Sequence, residues 1–158
     1  MFFEHKSLFA VSGEVPDGDY RVPFGQARMA REGGDVTIVT CGLMVSVSEV
    51  AADKLTAERI GCDVIDLRTT SPLDEEAILD SVEATGRLVI VDESPPRCSL
   101  ASDIAGLVAS RAFTSLKAPI EMVTPPHTPT PFARELEKAW LPSPVEVEAA
   151  VRRTLAFR

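Results

Sequence analysis

The sequence predicts an α/β fold of three layers, a mainly parallel sheet covered by helices on both faces. Three observations carry this. Val36-Thr37-Ile38-Val39-Thr40-Cys41 is a β-branched run bounded by Gly34 and Gly42, the pattern of a strand buried on both faces and central in its sheet. Further apolar runs, Cys62 to Leu67 and Leu88 to Val91, are separated by amphipathic stretches. Strands alternating with helices of about ten to fifteen residues return by right-handed crossovers, which makes neighbouring strands parallel.

Residues 1–25 hold Gly13, Pro16, Gly18, Pro23 and Gly25 with few periodic apolar positions. They read as an extended arm leading into a domain that occupies 26–158. A short strand is expected from Ala27 to Arg31, ended by Gly33-Gly34. After the central strand, Val47, Val50, Ala51 and Leu55 recur at helical spacing, which predicts an amphipathic helix from Val45 to about Arg59, closed near Gly61. Cys62 to Leu67 is the next strand. Ser71-Pro72-Leu73-Asp74 then reads as a helix start, with Ser71 as N-cap, Pro72 at the first helical position, and Asp74 and Glu75 beside the positive end of the dipole. That helix runs to about Ala84, and Gly86 ends it. Leu88 to Val91 leads into Asp92-Glu93-Ser94-Pro95-Pro96, a rigid loop. A helix from about Leu100 to Ser110 uses Ile104, Leu107 and Val108 as its buried stripe. Ile120 to Val123 is a further short strand. Thr124 to Phe132 contains four prolines and His127, so it forms a stiff loop. A short helix is expected from Ala133 to Lys138, and Ser143-Pro144 repeats the N-cap pattern before a last helix from Val145 to Leu155.

A chain of 158 residues, 45% hydrophobic and 25% charged, suits one globular domain. A net charge of −8 without a basic cluster argues against nucleic acid as a partner. No apolar stretch approaches the roughly 20 residues a membrane span needs, and Met1-Phe2-Phe3-Glu4-His5-Lys6 lacks the order of a signal peptide. The expected setting is the cytoplasm, with no membrane partner. Cys41, Cys62 and Cys98 have neither pair nor zinc spacing; the first two lie in apolar runs and read as reduced core residues. Cys98 sits just before a helix, where a dipole lowers a thiol pKa, but no general base is near it in sequence.

Ligands of such sheets meet the loops at the carboxyl ends of the strands. Here these are Gly42-Leu43-Met44, Arg68-Thr69-Thr70, Glu93 to Arg97 and Thr124 to Phe132. The first has a single glycine, so dinucleotide and Walker loops are missing. Ser94 and Ser99 lack the hydrolase elbow. His127, held among prolines, is a candidate for a ligand or an interface contact. Glu93 is expected to pair with Arg97 or Arg68. His5, beside Glu4, has little to hold it within this chain.

The segments Phe2 to Lys6, Val15-Pro16-Asp17-Gly18-Asp19-Tyr20-Arg21-Val22-Pro23-Phe24-Gly25, Asp35 to Gly42 and Val64-Ile65-Asp66-Leu67-Arg68-Thr69-Thr70-Ser71-Pro72-Leu73-Asp74 together resemble the C-terminal domain of transketolase-like proteins. More narrowly, the chain looks like the beta subunit of the thiamine-diphosphate-dependent decarboxylating component of 2-oxo acid dehydrogenases. Asp92 to Ser99, Lys117 to Thr124 and Pro126-His127-Thr128-Pro129 are most similar to acetoin dehydrogenase members. The resemblance implies a five-stranded sheet with one antiparallel edge strand, assigned to Ala27–Arg31. It implies that thiamine diphosphate and magnesium belong to the full heterotetramer, held by the alpha subunit, and that the activating glutamate lies in a beta-subunit N-terminal domain not included here. No catalytic, cofactor or metal residue is therefore carried over. What it does imply is a subunit-interaction domain, inactive alone, whose partners are the alpha subunit, a second beta subunit and the acyltransferase core. Some pyruvate-type members use an acid just before the Ala-Pro preceding the last strand to bind that core; Lys117 stands here instead. Arg152, Arg153 and the terminal carboxylate after Arg158 remain a candidate docking surface. The candidate interface or ligand-face residues are thus Glu4, His5, Glu93, Arg97, His127, Arg152 and Arg153. The uncovered arm, with Phe2, Phe3, Leu8 and Phe9, predicts a homodimer of the isolated domain. The alternatives are a stand-alone small-ligand-binding or regulatory module, and a half that rejoins a separately encoded N-terminal half.

Overall fold

A computed structural model of the chain describes residues 1–157. Its sheet has five strands in the order β1-β3-β2-β4-β5, formed by β1 (Arg28–Arg31), β2 (Val36–Thr40), β3 (Cys62–Asp66), β4 (Leu88–Val91) and β5 (Glu121–Val123). β2 lies parallel between β3 and β4, with Ile38 opposite both Val64 and Val89. β5 is parallel to β4, and β1 is the antiparallel edge against β3. The α/β class and the antiparallel edge strand both stand as expected.

The pleat sorts the core into two clusters. Val36 and Ile38 point to the face covered by α1 (Leu43–Ala57) and α5 (Pro144–Ala156), where Leu55, Val147 and Val151 are fully buried. Val39 points to the other face, covered by α2 (Glu75–Thr85) and α3 (Leu100–Arg111), with Ile78, Val82, Ile104 and Val108 against it. Thr37 also points that way. Its hydroxyl meets Ser81 Oγ at 2.7 Å and Thr85 Oγ1 at 2.8 Å, and Ser81 donates to Asp63 Oδ2 at 2.9 Å, so these buried hydroxyls are partnered. α4 (Arg134–Trp140) buries none of its residues.

Two helix readings are corrected. Ser71 is not the N-cap of α2: the Ser71–Pro72 bond is cis, and the helix starts at Glu75 with Asp74 as its cap, accepting from the Ala77 amide at 3.2 Å. The other Asp74 oxygen accepts from the Ala27 amide at 2.7 Å. A carboxylate that satisfies two amides from different segments outcompetes a serine that would cap one. In α1, Val50 is 47% exposed, and the buried face is Met44, Val45, Ser48, Ala51, Ala52 and Leu55. The helix begins two residues earlier than its apolar spacing suggests, because Gly42 (φ 60°) turns the chain immediately after β2. Leu107 of α3 is only half-buried.

The helix ends follow local chemistry. Gly86 takes the left-handed conformation (φ 74°) that ends α2. The Lys117 stem crosses it closely, and the Lys117 ammonium donates to the Thr85 carbonyl at 3.2 Å, where a cation complements the negative end of the helix. Ser143 and Glu146 form a reciprocal capping box at the start of α5, with Pro144 in its first turn.

Candidate functional site

From β2 the chain crosses to β3 on one side, then to β4 on the other. The crevice between the carboxyl ends of β2 and β4 is therefore the switch point at which such sheets ordinarily bind ligands. Here it is filled. The cavity left between Thr40, Cys41, Leu67, Asp92, Leu100 and Ala101 measures about 10 Å³, the size of one water probe. Asp92, buried at the end of β4, accepts from the Ser94 amide at 2.9 Å and from the Ala101 amide in the first turn of α3 at 3.1 Å. Ser99 caps the same helix through the Ser102 amide. An aspartate of the chain thus occupies the anion position at this helix N-terminus.

The crevice is also chemically quiet. Burial pushes the Cys41 thiol up to about 11, and the carboxylates of Asp92, Glu93 and Asp66 add to the effect. Burial likewise raises Cys62 to about 11. Neither is a thiolate nucleophile at neutral pH. Cys98 is exposed, with φ 51°, just before the Ser99 cap.

Glu93 pairs with neither Arg97 nor Arg68. Its oxygens lie 3.1 and 3.2 Å from His5 Nε2, so the arm supplies a partner 88 residues away in sequence. Arg68, in a left-handed conformation (φ 56°), lies against Asp66 of its own strand end at 4.0 Å. His5, expected to have little to hold it, is held by that contact and by the Ser7 amide, which donates to Nδ1 at 3.2 Å. Glu4, Arg97 and His127 are exposed and make no side-chain hydrogen bond or ion pair among the described residues. The loop carrying His127 is braced by Trp140, whose indole donates to Thr128 Oγ1 at 3.1 Å.

Arg152 and Arg153 are engaged within the domain. Arg152 donates to Glu58 at 2.7 Å and Glu148 at 3.2 Å, and Arg153 to Glu121 at 2.6 Å. The Arg152 hydrogen bond holds Glu58 below the usual carboxylate range, and Lys54 and then Arg152 do the same for Glu148. The Lys54 ammonium stands 3.1 Å from Glu148 Oε1; that oxygen has no well-aligned hydrogen bond, so the contact acts as a charge pair. The terminal carboxylate of Arg158 lies outside the described residues.

A surface not anticipated from the sequence lies beyond the end of α3. Phe113, Leu116, Ala118, Pro119, Ile120 and Phe157 line an open apolar groove of about 630 Å³. Phe113 is 71% exposed and Phe157 53%. Apolar residues in the non-periodic stretch Phe113 to Ile120 were the available signal. On the arm, Phe2 and Phe3 are each 83% exposed and Phe9 69%, while Leu8 is half-buried. Among the described residues no group of three His, Cys, Asp or Glu side chains could hold a metal ion, and no helix is long and apolar enough to cross a membrane.

Residues 25–147 match the family described as transketolase, C-terminal domain. The chain is 54% identical over 155 residues to the acetoin:2,6-dichlorophenolindophenol oxidoreductase subunit beta of Cupriavidus necator, covering 98% of this chain and 46% of that protein. Its counterpart in Bacillus subtilis is 48% identical, over 92% of this chain and 43% of that one. The pyruvate dehydrogenase E1 component subunit beta of Rickettsia felis is 44% identical, over 99% and 48%. A solved structure described as a split gene transketolase, inactive beta4 tetramer, superposes with a TM-score of 0.77 at 29% identity, over 92% of this chain and 46% of that one. The chain spans about half the length of the curated relatives it matches.

Proposed function

The chain belongs to the transketolase C-terminal domain family, and on that premise we propose that it is the subunit-interaction half of the beta subunit of a cytoplasmic thiamine-diphosphate-dependent acetoin or 2-oxo acid dehydrogenase. The carrying observation is a contrast within the domain. The crevice where such sheets bind ligands is closed by Cys41, Leu67 and Asp92, while the apolar arm and the groove at Phe113 and Phe157 stand uncovered. A domain of this kind contributes surfaces rather than chemistry.

Its partners in this reading are the alpha subunit, a second beta subunit and the acyltransferase core, and the isolated domain is inactive. Thiamine diphosphate and magnesium belong to the full assembly, and the residues present do not fit them. The crevice holds about 10 Å³, the helix N-terminus beside it already carries Asp92, and no metal-holding group of side chains occurs among the described residues. With Arg152 and Arg153 tied to Glu58, Glu148 and Glu121, the neighbouring groove is the better candidate for docking the core. Lys117 lines it but turns its ammonium to Thr85, which leaves apolar contact as the main attraction there.

The test is reconstitution. The chain is mixed with the alpha subunit of an acetoin dehydrogenase and the remaining half of its beta subunit, followed by size-exclusion chromatography and acetoin-dependent dye reduction. Activity in the assembled fraction alone, with no calorimetric binding of thiamine diphosphate and magnesium to the isolated chain at micromolar affinity, is the expected outcome. Failure to assemble, or such binding, refutes the proposal.

A further inference from the structure

The arm touches the body of the domain by side-chain hydrogen bonds at two well-separated places. Near its start, His5 Nε2 meets Glu93 just beyond the end of β4. Near its end, the Gly25 amide donates to Thr69 Oγ1 beyond the end of β3, followed by the Ala27 amide to Asp74. β3 and β4 flank β2, so the two anchorages straddle the switch-point crevice. The strands that lead to them are two strand spacings apart, roughly 10 Å, whereas residues 6–24 could reach roughly 60 Å when extended. The chain between is slack, and apart from half-buried Leu8 its residues are exposed. Whether the arm lies closed against the sheet therefore depends on the first contact.

That contact is organised at atomic level. His5 Nδ1 accepts from the Ser7 amide at 3.2 Å, which places the ring hydrogen on Nε2, directed at the Glu93 carboxylate. The same histidine is the N-cap of the helical turn Lys6–Leu8, and the Leu8 amide donates to the His5 carbonyl at 2.9 Å. His5 thus joins the fold of residues 5–11 to the end of β4.

We propose that the His5–Glu93 pair is a clasp that fastens residues 1–25 as a strap over the carboxyl edge of the sheet. The clasp stands on the contacts of this chain alone and does not depend on the assembly reading. Hydrogen-deuterium exchange of the whole chain tests it in His5→Ala, Glu93→Ala, the double variant and Glu93→Gln. A hydrogen bond to a charged group of this exposure corresponds to a change of about fivefold. Glu93→Ala raises exchange of the Leu8, Phe9 and Val11 amides by about that factor, His5→Ala by at least as much because it also removes the acceptor for the Ser7 amide, the double variant adds nothing beyond His5→Ala, and Glu93→Gln, which keeps an acceptor for Nε2 without the charge, falls between wild type and Glu93→Ala. Exchange in β4 and α3 is the control for intact folding. Unchanged arm exchange in Glu93→Ala, additive effects in the double variant, or loss of protection in β4 and α3 overturns the clasp.

Discussion

Removing the Asp92 carboxylate should cost stability out of proportion to a loop residue. In Asp92→Ala the Ala101 amide loses its partner at a fully buried residue, and a buried unsatisfied donor costs about 1–3 kcal/mol. The twelve-residue helix α3 also loses a negative charge at its positive end, worth roughly 0.3–1 kcal/mol. The Ser94 amide, on an exposed residue, finds water. Ser99 still caps α3, so the helix persists. The net expectation is about 2 kcal/mol, a drop in Tm of about 4 to 8 °C for a domain of this size. Asp92→Asn keeps an acceptor oxygen and should lose about 1 kcal/mol. Urea denaturation with an unchanged slope reads both. Cys41 gives a second readout, because the Asp92 charge contributes to its raised pKa, so its thiol should react with a disulfide reagent at lower pH in the alanine variant. An Asp92→Ala protein within about 0.5 kcal/mol of wild type, or an asparagine variant as damaged as the alanine one, refutes the reasoning.

Gly86→Ala forces a side chain into a left-handed position, costing about 1–2 kcal/mol, and its Cβ would stand 2.6 Å from the Lys117 stem; Lys117→Ala should restore part of the urea midpoint in the double variant. The Glu58 and Glu148 carboxylates, held low by Arg152 and Lys54, contribute stability that is fully present above the unfolded carboxylate value of about 4.3 and is lost as pH falls through the native values. Thermal melts should show Arg152→Ala below wild type at neutral pH and converging with it in acid. Sedimentation at high concentration should show the isolated chain self-associating through the arm, and less so after Phe2→Ser with Phe3→Ser; a strictly monomeric wild type would contradict this.

What the sequence determined by itself is the part of the protein governed by near neighbours. Val36 to Thr40 had to be a central strand because every residue in it is apolar or β-branched, and each is buried. Gly86 and Ser143-Pro144 mark helix ends because the backbone geometry and the cap partner lie within a few residues. The antiparallel edge at Arg28–Arg31 was legible through family resemblance, since its four residues carry almost no pattern of their own. Tertiary structure decided where polar groups find partners. Asp74 rather than Ser71 starts α2 because the Ala27 amide arrives beside it from 47 residues away. Glu93 chose His5 over the nearer arginines because the fold turns Arg68 toward Asp66 and lays the arm past the end of β4. The same contacts decided the candidate site, since only the packing of α3 on β4 brings the Asp92 carboxylate to the Ala101 amide and closes the crevice. Apolar periodicity reports which face of an element is buried, but a hydrogen bond between distant segments depends on positions that only the assembled sheet supplies.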